Sequence, residues 1–332
     1  MLTTLVIAAL IYIGSCKAAL DPNLPPGKNF NLGYWKLQLP VNCDNGFTGT
    51  LCEQKPVPPS YSNSPYFYTS PVDGALVFFA PYNGITTSGS IHPRSELREL
   101  DSSNSAFDAS WNVTKMYATF SASVAVNQLA KLTSNGSNST VVIGQIKGSK
   151  DGQFLELFYS PGGVVYWQLS PPDKLKISEK TVRKYVYSAV GVKTAIPLNE
   201  IFDYSLRTNT THTITTVTYK NVVYSSIYHI STYWKNEYAG MYYKAGCYCQ
   251  VANNKDPKYD GTGACQVSFY SITSPVESAQ LSPTTAGPTN TPISPPFSTY
   301  LPSQVPSVKP LIVSSQVPSV KPSIVSSKVP SV

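Results

Sequence analysis

Met241-Tyr-Tyr-Lys-Ala-Gly-Cys-Tyr-Cys-Gln250 is the stretch on which the reading of this chain turns. Its tyrosines and its glycine disfavour a helix, and side chains on a strand change face at every residue. Alternation therefore puts Tyr242, Lys244, Tyr248 and Gln250 on one face, with Gly246 expected to leave open space between them. A phenol that can give or take a proton, an ammonium and an amide side by side suit an anionic, hydroxylated ligand. A plain Tyr-rich strand of a β-sandwich is the competing reading of this segment taken alone.

Two further segments bear on that choice. In His92-Pro-Arg-Ser-Glu-Leu-Arg-Glu-Leu100 a strand would point Arg94, Glu96 and Arg98 one way and Ser95, Leu97 and Glu99 the other. Glu96 would then fix the two guanidinium forks, which present paired donors to a ligand carboxylate; the alternative is a surface ion-pair ladder of little energetic weight. His92 reaches the same face if the strand stays regular across Pro93. In Val141-Val-Ile-Gly-Gln-Ile-Lys147, Gln145 and Lys147 share a face and Ile146 packs on the other.

Around these segments the chain is strand-rich. Runs at 74–80, 115–126, 154–159, 164–169, 186–192 and 213–219 are separated by Asn, Gly, Pro and Ser clusters, and 197–202 is at most a short turn. The fold class is all-β, a two-sheet sandwich or jelly roll over residues 19–274. Before it, the apolar run Leu5–Ile13 is too short to span a bilayer and is followed by small residues, so residues 1–18 are expected to be a signal peptide. After it, residues 275–332 are rich in Ser, Thr, Pro and Val, and a twelve-residue unit starting at Gln304 repeats at Gln316 and, in part, at Lys328. Proline at that density forbids a sheet core, leaving an extended tail or linker that either tethers the domain to a wall or has no specific role.

Secretion sets the redox context. Cys43 and Cys52 flank a short loop and are expected to pair; Cys265 can pair with Cys247 or Cys249, leaving one thiol over. No histidine lies near that cluster, so no metal site is expected. Asn112, Asn135, Asn138 and Asn209 stand in glycosylation sequons. The formal charge of +7 falls to +4 within residues 19–274, where 21 basic face 17 acidic side chains. That excess suits an acidic partner, and with no basic run nucleic acid is not one. No later segment is long and apolar enough for a membrane span, and a monomer is expected.

Together the three segments resemble polysaccharide lyase family 7, the alginate-lyase-type enzymes. The motifs stand as Arg94-Ser-Glu-Leu-Arg98, Gln145-Ile-Lys147 and Tyr242-Tyr-Lys-Ala-Gly-Cys-Tyr-Cys-Gln250, and Phe30-Asn-Leu-Gly-Tyr-Trp-Lys-Leu-Gln-Leu-Pro40 is similar to the family's first strand. The resemblance runs from about Asp21 to Thr273. It implies a concanavalin-like jelly roll that cleaves a 4-linked acidic polysaccharide by β-elimination without cofactor or metal. It also implies catalytic roles for Tyr248 as proton shuttle and for Arg94, Gln145 and position 147; the faces read from strand alternation add Arg98, Glu96, Lys244, Tyr242, Gln250 and His92 as residues expected to bind substrate. Nearby cations are expected to favour the Tyr248 phenolate. The family's histidine is Lys147 here, which points to a mannuronate- or glucuronate-type chain, alginate or glucuronan. A jelly roll that binds acidic polysaccharide without cleaving it is the alternative.

Overall fold

The computed structural model describes residues 19–113, 118–148, 152–170, 181–231, 234, 240–252 and 256–273. The expected signal peptide and repeat tail lie outside them. The chain divides into two units at Pro283 and Thr284, and every described residue belongs to the first.

One helical turn, α1 (Pro26–Asn29), precedes the strands. In chain order these begin β1 (Trp35–Gln38), β2 (Glu53–Gln54), β3 (Phe67–Thr69), β4 (Leu76–Pro81), β5 (Arg94–Glu99) and β6 (Ala118–Gln128). Next come β7 (Lys131–Leu132), β8 (Val141–Lys147), β9 (Gln153–Ser160), β10 (Val164–Ser170), β11 (Val182–Tyr185) and β12 (Tyr187–Ser188). The last are β13 (Phe202–Thr208), β14 (His212–Tyr219), β15 (Val222–His229), β16 (Tyr242–Cys249), β17 (Gly261–Thr262) and β18 (Ala264–Ile272).

Two antiparallel sheets face each other. One runs β11-β10-β9-β8-β16-β5-β1-β2 and the other β12-β15-β14-β13-β6-β18-β4-β3, which is the expected jelly-roll sandwich. Between them lies a dry aromatic and aliphatic core. Trp35 and Tyr243 of the first sheet meet Phe120 of the second edge-on and tilted, at 5.8 and 5.4 Å between ring centres. Burying each such side chain contributes roughly 2–3 kcal/mol. The disulfide Cys249–Cys265 joins β16 to β18 across this core, and Cys43–Cys52 closes the loop between β1 and β2. Cys247 is the buried free thiol.

Several expected boundaries move. The run at 186–192 is mostly a turn: only Tyr187–Ser188 pairs, and Gly191 adopts φ +79°. Strands β11, β13, β15 and β18 were not marked by apolar runs. β13 alternates buried Phe202, Tyr204 and Leu206 with polar residues and so has no apolar run, and β15 buries none of its residues.

Strict alternation also fails where it matters most. Across the β16–β8 pair the register slips by one residue between Ala245 and Tyr248, and across β8–β9 it slips between Val142 and Gly144. Such bulges re-aim side chains. Here Val141 and Ile143 go to the core, whereas Val142 joins Tyr248 on the opposite face. The buried hydroxyl of Tyr204 donates to the Ile143 carbonyl at 2.9 Å. Gly144 lies against that ring, where a Cβ would come within 2.8 Å of the hydroxyl. Gly246 does not open space, as alternation suggested: at φ +147° it presses on β5, and a Cβ would stand 2.6 Å from the Ser95 carbonyl oxygen. Only glycine fits there.

Candidate active site

Three strands adjacent in space, β8, β16 and β5, carry the three motifs. Lys244 lies opposite Gln145 on one side and Arg98 on the other; Tyr242 pairs with Lys147 and Tyr248 with Arg94. Directly opposed residues share a face, so all these side chains rise from the outer face of the first sheet. They line a cleft of about 250 Å³, roofed by the loop Thr87–Ser90. The cleft shares Gln38 and Arg98 with a neighbouring section of about 710 Å³ over β1 and β2. It shares Gln153 and Tyr248 with another of about 620 Å³ over β9–β11. The result is a groove that crosses the strands.

Glu96 anchors the floor. Its carboxylate is completely buried, receives the Lys244 ammonium at 2.5 Å and Arg94 Nη1 at 3.2 Å, and accepts from the Gln145 amide. Burial acts to raise its pKa, but the charges of Lys244 and Arg94 and these bonds outweigh it and hold the carboxyl below its ordinary value. The expectation that Glu96 binds substrate is corrected: it lies beneath the groove and orients three groups that line it. The expectation that it fixes both arginines is also corrected. Arg98 turns to Asp108, at 3.1 Å, and stacks on the Tyr242 ring at 4.0 Å. Lys244 is steadied further by Gln38 Oε1 at 3.3 Å.

Tyr248 sits at the junction of two groove sections. Its hydroxyl is 3.0 Å from Ser90 Oγ, and the Arg94 guanidinium lies over its ring. Burial raises the phenol above its ordinary pKa; Arg94 and the Ser90 bond oppose this, while Glu156 and Glu96 add to it. Arg94 favours the phenolate, as nearby cations were expected to, but burial outweighs it because Tyr248 is nearly enclosed.

His92 and Gln250 border the section over β9–β11. The His92 Nδ1 lies 2.9 Å from the Val251 carbonyl oxygen, so Nδ1 carries the proton and the ring is held edge-on to Tyr248 and Tyr259. His212 and His229 face each other across β14–β15, away from the groove. The sequon residues Asn135 and Asn138 are exposed and line the section over β9–β11; Asn112 is half-buried, and Asn209 Oδ1 accepts from the Thr211 and His212 backbone amides.

The sequence reading missed Ser90, Gln38, Gln153 and Glu156. Glu156 had a signal, being one acid inside the otherwise apolar run Phe154–Tyr159. Gln153 had none: a bulge at Phe154 sends that ring into the core and leaves Gln153 opposite Lys147. Among the described residues no group of three or more metal-ligating side chains occurs.

A jelly roll with a cation-lined groove across one sheet is a fold and site suited to acidic chains of sugars. The family model described as alginate lyase matches residues 30–275, and the chain belongs to that family, polysaccharide lyase family 7. A curated relative, the alginate lyase of Klebsiella pneumoniae, is 29% identical over 153 residues, covering 40% of this chain and 49% of the relative. The match thus spans about half the length of that relative. The crystal structure of the alginate lyase from Klebsiella pneumoniae shares the fold, with a TM-score of 0.62 and 23% identity over 75% of this chain and 97% of that one. Alginate lyase A1-II', of family 7, gives a TM-score of 0.55 and 27% identity, again over 75% and 97%.

Proposed function

We propose that this protein is a polysaccharide lyase that cleaves a 1,4-linked mannuronate- or glucuronate-type chain, alginate or glucuronan, by syn β-elimination. The observation that carries this reading is the meeting of Tyr248, Arg94, Gln145 and Lys147 around one cleft. Arg94 and Gln145 face the sugar carboxylate and neutralise the charge that grows on it as the C5 proton leaves. The C5–H bond breaks toward the Tyr248 oxygen, its electron pair becomes the C4–C5 double bond, and the C4–O bond breaks. Tyr248 then passes the proton to the departing oxygen. In mannuronate and glucuronate the C5 hydrogen and C4 oxygen lie on one side of the ring, so one tyrosine serves both steps. In guluronate they lie on opposite sides and a second base is needed. Lys147, among cations, acts as a fixed charge and is a poor base.

The apolar run at residues 5–13 and the two disulfides support secretion, with the repeat tail as a tether to a wall. Lys147 is also the one observation that favours a binding module without turnover. Ultraviolet absorbance during incubation with polymannuronate, polyguluronate and glucuronan separates the readings, because elimination creates a conjugated double bond. A rise with mannuronate or glucuronan alone is expected. A rise with guluronate defeats the syn assignment, and binding with no rise on any polymer defeats the lyase.

A further inference from the structure

The groove is built for a polyanion, yet one of its walls is a carboxylate. Glu156 on β9 lies opposite Gln145 of β8 and Gln168 of β10, is only 6% exposed, and borders the groove section over β9–β11 together with Tyr248. The elimination chemistry gives it no task. Adjacent strands are about 4.8 Å apart, so a sugar carboxylate held by Arg94, Gln145 and Lys147 comes to rest one strand away from it. Two carboxylates that close do not both stay ionised.

Resting on the lyase reading, we propose that Glu156 is a built-in competitor for the substrate carboxylate. It serves as counter-charge to Lys147 and Arg94 before the polymer binds, and it takes up one proton from solvent when a uronate displaces it. The groups facing it are consistent with this exchange. Lys147, Arg94 and Lys244 attract its charge and Glu96 repels it, while the phenols of Tyr248 and Tyr166 lie within its field. Arg183, Lys258 and His92 stand on the rim of the same section. Burial, the largest influence, brings the Glu156 carboxyl up to about 7, where neutral solution holds both of its forms. The residue is thus a specificity and positioning residue: it makes affinity for acidic sugars depend on pH and leaves the reacting atoms to others.

The test is KM for polymannuronate or glucuronan from pH 6 to 9 at fixed ionic strength, in the unmodified enzyme and in Glu156→Gln. In the unmodified enzyme KM is expected to rise above neutrality by up to about tenfold per pH unit, as expected when binding takes up a proton. In Glu156→Gln that rise should disappear while kcat keeps its own pH dependence. An unchanged KM profile in the variant overturns the proposal. If Glu156→Gln does not fold, titration calorimetry of Tyr248→Phe with the same polymer, in two buffers of different ionisation enthalpy, reads proton uptake directly. Close to one proton per bound site near pH 8 is expected, and zero overturns the idea. Absence of turnover with proton-linked binding intact would defeat the lyase reading and leave this one standing.

Discussion

Arg94 holds its guanidinium carbon 3.9 Å from the centre of the Tyr248 ring, while its Nη1 is bonded to Glu96. One cation thus faces the aromatic side of the proposed shuttle, and its charge is shared with a buried acid. That sharing, with burial, leaves Tyr248 a neutral phenol near pH 7. Phenolate is the form that accepts a proton, and below the phenol pKa its fraction grows tenfold per pH unit. The rate kcat is therefore expected to climb through neutrality and beyond pH 9, read by absorbance at saturating polymer. Tyr248→Phe should lower kcat by roughly 10²–10⁴-fold and leave binding intact.

Glu96 governs stability as well as geometry. Glu96→Ala leaves Lys244 and Arg94 buried without their common partner, a change worth about 3–5 kcal/mol, measurable by urea unfolding. Its carboxyl is held below the ordinary range, so its contribution is present above the unfolded-state pKa and fades as pH falls through the folded one. Glu96→Ala should flatten that acid limb.

Glu99, on the core face of the same strand, has the opposite sign. Burial raises its carboxyl to about 7, although Trp111 Nε1 and the Tyr243 amide both donate to it, at 2.9 and 2.7 Å. A raised acid is most stabilising when protonated. Relative to Glu99→Gln, the unmodified protein should lose about 3 kcal/mol as pH rises from 4 to 9. Parallel denaturation curves with a pH-independent gap between them would show that Glu99 does not titrate on folding.

Position 147 is expected to set which polymer is cut. Lys147→His places a group that is neutral near pH 7 where the unmodified chain has an ammonium. Cleavage of polyguluronate should appear or increase several-fold, with activity on mannuronate or glucuronate chains retained. No gain on polyguluronate would mean that the second base needs more than that one side chain.

The Cys249–Cys265 bond closes a loop of 16 residues between the sheets. Replacing both cysteines by serine is expected to lower stability by about 3 kcal/mol. Thermal unfolding of the unmodified protein and the variant, both without reductant, checks it, because Cys43–Cys52 is then intact in each.

The three motifs were legible in the sequence because each strand carries its functional residues at even spacing, at 94, 96 and 98, at 145 and 147, and at 242, 244 and 248. The partner of Cys265 was legible only as alternatives, since Cys247 and Cys249 share the core face of β16 and sequence does not say which lies level with Cys265. Gln153 escaped because a bulge at Phe154 breaks the period on which such reading depends, whereas Glu156 stood in the sequence as the one acid of an apolar strand. The pKa of Tyr248 escaped for a different reason. Counting nearby cations says nothing of how deeply the phenol is enclosed, or of which acids already hold those cations.

The order of strands in the grooved sheet has a consequence for how the protein comes to be active. Residues 94, 145 and 248 are neighbours only because β16 is inserted between β8 and β5, joining segments that lie more than 90 and 140 residues away along the chain. Pairings of such long range form slowly, because chain entropy must be lost before they contribute anything. Placing β16 completes the cleft floor, so regain of turnover during refolding times that single event. Compaction and native-like circular dichroism should return earlier, in molecules that do not yet have a catalytic centre.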